Sequence, residues 1–93
     1  MNLLSRAWSA APQWPIVLND RWRVTDDPLQ WILEVRKGRK GPRHTGWRGR
    51  SFCTTRDVLK RDVRRLCGEV DPAAMAAIEA LPEVHPHYGS GHH

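Results

Sequence analysis

Ninety-three residues with 40% hydrophobic content, five tryptophans and a net charge of +5 describe one basic domain, with too little chain for a second core and too much apolar material for wholesale disorder. No apolar run approaches the roughly 20 residues of a membrane span. Leu3 to Ala11 is broken by Ser5, Arg6 and Ser9, which rules out the apolar stretch of about 7–15 residues in a secretory signal.

A soluble, cytoplasmic protein is therefore expected, with no membrane partner and with Cys53 and Cys67 reduced. Residues 1–15 are read as an N-terminal arm, with Leu4, Trp8 and Ala11 at helical spacing and Pro12 and Pro15 limiting the helix. Ile16-Val17-Leu18 and Arg21-Trp22-Arg23-Val24, separated by Asn19-Asp20, predict a short hairpin. Thr25-Asp26-Asp27-Pro28 predicts a turn, since aspartates bond nearby amides and proline presets its φ.

Leu29 to Arg36 admits two readings. As a strand it sets Trp31, Leu33 and Val35 on one face; as a helix it would begin with Asp27 as N-cap and Pro28 in the first turn. The strand is preferred, because Gly38 and Gly41 follow quickly and a second aromatic strand, Trp47 to Cys53, can pair with it. A cationic loop, Lys37 to Thr45, joins the two.

Thr54 and Asp57 form a T-x-x-D cap, after which Val58, Leu59, Val63 and Leu66 recur at helical spacing until Gly68. Asp71-Pro72 starts a second helix, with Met75, Ile78 and Leu81 as its stripe and Pro82 as its stop. The expected fold is α+β: a small antiparallel sheet of about three or four strands followed by two helices on one face. Its bounds are residues 16–84, and 85–93 are read as a flexible tail in which Gly89-Ser90-Gly91 and the final histidines resemble a linker and tag.

Charge placement suggests the function. From Arg36 to Arg50 there are seven Lys or Arg residues, one histidine and no acid, a run that can neutralise phosphates and release counterions. The candidate nucleic-acid contacts are Arg36, Lys37, Arg39, Lys40, Arg43, His44, Trp47, Arg48 and Arg50, with Arg61 from the arginine-rich helix. The plain alternative is a loop charged because it is solvated. Trp47 can stack a base or fill the core, as Trp22 and Trp31 are expected to.

Trp8 and Trp14 are expected to reach outward as anchors for a protein partner. His85-Pro86-His87 and the two widely spaced cysteines offer no metal-ligand set, and no cofactor is expected. Without a nucleophile elbow, a phosphate-cradling glycine loop or a carboxylate–histidine cluster, an enzyme is not expected either. The partners anticipated are DNA or RNA, or alternatively an acidic host protein, with homodimerisation through the arm or a sheet edge open to either.

Trp22-Arg23-Val24, Asp26 to Leu33, Trp47-Arg48-Gly49-Arg50-Ser51-Phe52 and Thr55-Arg56 together resemble small uncharacterised proteins carried by bacterial phages and prophages, over roughly residues 21–82. That resemblance implies a setting in which proteins of this size bind nucleic acid or inhibit a host protein. The pattern is also similar to the three-stranded-sheet DNA-binding domain of phage integrases, whose sheet enters the major groove. Arg48 and Arg50, flanking Gly49, are expected on one face of the last strand with Phe52 beside them, which suits such a role; the helix Asp71 to Leu81 and the extra hairpin depart from that family.

Overall fold

Alternating apolar residues in the first half of the chain and helical spacing in the second yield four antiparallel strands followed by two helices in the computed structural model, which describes residues 13–38 and 46–87. β1 (Ile16–Val17), β2 (Trp22–Asp26), β3 (Trp31–Arg36) and β4 (Trp47–Cys53) lie side by side in chain order. The helix α1 (Arg56–Leu66) packs on β3 and β4, and α2 (Pro72–Glu79) packs on β1 and α1. The fold is α+β, and among the described residues the helices cover one sheet face and leave the other open.

Side chains explain the turns. Asn19 Oδ1 accepts the N–H groups of Arg21 and Trp22 at 2.9 and 3.0 Å, closing the β1–β2 hairpin. Its Nδ2 donates to the carbonyls of Cys67 and Glu69, each at 2.9 Å, so one asparagine also ties the hairpin to the end of α1. Between β2 and β3, Asp27 Oδ1 accepts from the N–H groups of Leu29 and Gln30 at 2.8 and 3.0 Å. Donation from the Gln30 side chain and then the Leu29 amide holds the Asp27 carboxyl below its usual pKa.

This turn sits later than Thr25 to Pro28. Thr25 and Asp26 are still in β2, paired with Ile32 and Trp31. Asp27 caps a turn and not a helix, and residues 31–36 form the strand, because alternation buries Trp31 and Leu33 together against α1.

α1 begins one residue later than the T-x-x-D pattern suggests. Thr55 is the N-cap, its Oγ1 accepting the Val58 N–H at 3.3 Å, while the Thr54 carbonyl accepts the His85 N–H at 2.8 Å. Thr55→Ala is expected to lower unfolding free energy by about 1 kcal/mol. Thr54→Ala should change it by less than about 0.5 kcal/mol. Equal effects in urea denaturation would return the cap to Thr54.

Gly68, at φ +72°, turns the chain out of α1 in a conformation that side chains with a Cβ rarely adopt. Asp71 then caps α2 by accepting the Ala73 N–H at 3.0 Å. The helix ends at Glu79, before Pro82, and its buried residues are Ala74 and Ile78, with Met75 only half-buried.

Ile16, Leu18, Val24, Trp31 and Leu33 meet Leu59, Val63, Ala74, Ile78 and Leu81 in one core. Burial of each large side chain contributes about 1.5–3 kcal/mol of transfer free energy. Among the described residues, no helix is long and apolar enough to cross a membrane.

The expected tail is corrected at its start. His85 is 2% exposed, lies edge-on to Trp31 with centroids 5.0 Å apart, and accepts the His87 N–H at Nδ1 at 3.0 Å. Its Nε2 stands 3.6 Å from Asp26 Oδ2. With Thr55 bridged to Val84 and Arg56 N–H donating to the Glu83 carbonyl at 2.9 Å, residues 83–85 close the core instead of trailing from it. Residues 88–93 lie outside the described residues.

Candidate nucleic-acid interface

A bulge in β4 decides which side chains share a face. Leu33 pairs with Ser51 and Glu34 with Gly49, which leaves Arg50 as the extra residue. Phe52, Gly49 and Trp47 consequently fall on the open side with Ile32, Glu34 and Arg36, whereas Arg48 is opposite Val35 in the set that contains Ser51 and Cys53. A Cβ built on Gly49 would come within 2.5 Å of Phe52 Cζ, an independent sign that the two share a face. The expectation that Arg48 sits beside Phe52 is overturned, because one inserted residue reverses simple alternation.

The open face carries an aromatic and cationic cluster. The guanidinium of Arg23 lies 4.2 Å from the Trp47 ring centroid and that of Arg36 5.0 Å from it, both within cation–π range. Arg23 Nε also pairs with Glu34 Oε1 at 2.7 Å, which positions the guanidinium over the ring. Phe52 lies across Gly49 and is 57% exposed. Val17, 56% exposed, extends the same side through its pairing with Arg23.

At the β3–β4 end, Asp20, Arg21, Arg36, Lys37 and Gly38 line a cleft of about 570 Å³. The backbone holds its walls together: Arg36 N–H donates to the Arg21 carbonyl at 2.9 Å, and Lys37 N–H to the Gly46 carbonyl at 3.0 Å. Three cations and one carboxylate thus face one space. Arg36 belongs to both the cleft and the tryptophan cluster. Arg39, Lys40, Arg43 and His44 lie outside the described residues, between Gly38 and Gly46, which flank this cleft in the chain.

The arginine-rich helix has structural commitments. Arg56 Nη1 donates to the Leu81 carbonyl at 2.7 Å, and Lys60 pairs with Glu79 at 3.0 Å, both fastening α2 to α1. Arg61 and Arg65 approach Asp62 at 3.5 and 3.7 Å, and the Ser51 hydroxyl donates to Asp62 at 2.5 Å. α1 lies behind the sheet, so Arg61 does not converge with Trp47 and Phe52 on the open face.

Trp31 is core and Trp22 packs against it, as strand alternation predicts. Trp14 packs against the core on one side and is half-buried; Trp8 lies outside the described residues. Cys53 and Cys67 are both free and buried. Burial, and then the nearby Asp62 charge, pushes the Cys67 thiol up to about 12.

Arg21, Arg23 and Phe52 were missing from the sequence-derived contacts. Arg21 and Arg23 sit 13 or more residues before the cationic run, and only the antiparallel ladder returns β2 beside β3. The alternation of Arg23 with buried Val24 was a usable signal for an outward-facing cation. Comparison with protein-family models, with curated proteins and with solved structures finds no match to this chain.

Proposed function

We propose that this chain is a small, non-enzymatic nucleic-acid-binding accessory protein of the phage or mobile-element kind, acting in the cytoplasm and gripping phosphates at the β3–β4 end of its sheet. The observation that carries the reading is the cleft where Arg21, Arg36 and Lys37 gather at the base of the cationic loop, with Asp20 the only acid lining it among the described residues. Such a cluster attracts polyanions and releases their counterions, so affinity falls as salt rises. The resemblance to phage-borne proteins supports the setting.

A titration of the full chain with DNA and RNA, followed by tryptophan fluorescence at several salt concentrations, tests the proposal. Saturable binding at physiological salt is expected, and Arg36→Ala should reduce the slope of log affinity against log salt by about 1. Absence of saturable binding at that salt defeats the reading. The second reading, a module that inhibits an acidic host protein, draws on the exposed Val17 and Phe52 and is favoured if a partner stays bound at salt that abolishes nucleic-acid binding.

A further inference from the structure

Phe52 occupies an unusual position. A large apolar ring 57% exposed, on the sheet face that the described helices leave uncovered, gains little from burial, yet the strand is built to receive it. At Gly49 the missing side chain leaves the space the ring fills: a Cβ there would lie 2.5 Å from Phe52 Cζ, 3.1 Å from Cε2 and 3.4 Å from the Ile32 Cγ2 methyl. The ring therefore rests against backbone on one side and opens to solvent on the other.

Along the same face stands Trp47 beneath the guanidinium groups of Arg23 and Arg36. Trp47 pairs with Arg36 and Phe52 with Ile32, four residues apart on β3. At about 3.3 Å per residue the two aromatics are about 13 Å apart, so one extended strand of nucleic acid can meet both.

We propose, on the basis of the nucleic-acid reading above, that the ligand is single-stranded and crosses the open sheet face, with a base stacked on Phe52 and its backbone held near Arg23 and Arg36 at Trp47. Stacking requires a base with a free π-face. A duplex keeps its bases stacked on one another and offers a protein its phosphates and groove edges, to which an outward-facing phenyl ring adds little. A single strand offers free bases and phosphates in alternation, matching an aromatic ring beside cations. Glu34 is the one carboxylate among the strand residues of that face, and its pairing with Arg23 at 2.7 Å offsets its charge, which leaves Arg36 to favour a polyanion there.

The test compares mixed-sequence single-stranded DNA and RNA with the matching duplexes at physiological salt, using the wild-type chain, Phe52→Ala and Phe52→Leu. Leucine keeps apolar cover over Gly49 and removes only the aromatic face. Tighter binding of single strands is expected, with both variants weakening it roughly 5- to 150-fold at unchanged salt slope. Full affinity in Phe52→Leu, or equal or tighter binding of duplex, overturns this inference and leaves the nucleic-acid reading standing. Failure of every nucleic acid to bind removes both, and the open face then belongs to a protein partner. On the wild-type chain, photo-crosslinking to a single strand carrying 5-iodouracil should mark Phe52; crosslinks confined to other peptides also overturn the inference.

Discussion

Trp31→Ala should lower unfolding free energy by about 3–5 kcal/mol, which consumes much of the stability of a domain this small. The ring is 1% exposed and sits in the ladder between Asp26 and Cys53, with His85 edge-on against it. Removing it opens a cavity at the point where β3, β4 and the returning segment at His85 converge. Neighbours fixed in a paired strand cannot collapse to fill such a space. A shift of the urea midpoint toward zero, with loss of near-ultraviolet circular dichroism, is the expected observation. A midpoint within experimental error of the wild type would mean that Trp31 does not hold this core together.

Asp62→Ala is expected to cost about 1.5–3 kcal/mol, the range for hydrogen bonds to a charged group. The carboxylate is 6% exposed, accepts from the Ser51 hydroxyl at 2.5 Å and so joins α1 to β4 by a polar link. Alanine leaves the Ser51 hydroxyl without this acceptor. Asp62→Asn separates charge from shape, because the amide can still accept from Ser51 while its negative charge is gone.

The thiols provide the readout of that charge. Burial first, then the Asp62 charge, raises the pKa of Cys67 to about 12; in Cys53 burial also leads, with Asp62 adding to the rise. In Asp62→Asn the pKa of both should fall but stay above the ordinary thiol value, since burial remains. Reaction with a thiol reagent near pH 9 should quicken in the folded protein, and identical rates would remove Asp62 as a cause. The pH dependence has a definite sign: a folded pKa of about 12 against 9.0 for the free thiol means Cys67 supports folding fully below about pH 9, and that support is lost as pH rises toward 12.

The elements were legible in the chain because their causes are local. Alternation across Trp31 to Arg36, the helical spacing of Leu59 and Val63, Gly68 after α1 and Asp71-Pro72 before α2 each act within a few residues. Cap placement was less legible. Thr54 and Thr55 offer the same hydroxyl, and the choice follows from the returning segment, since His85 takes the Thr54 carbonyl.

Residue content and local spacing assigned this chain a basic character, an α+β class and a cationic stretch between its last two strands, since those depend on which residues are present and on their order along the chain. The partners of each side chain depended on the assembled sheet. Arg50 is inserted where the ladder steps from Leu33 to Glu34, and that single bulge carries Trp47 to the face of Phe52 and sends Arg48 to the other. Arg21 and Arg23 reach Arg36, Lys37 and Trp47 only through antiparallel pairing. Strand pairing brings distant residues within contact range, and a one-residue change in register exchanges the two faces, so a binding surface on a sheet is set by long-range register and not by local sequence.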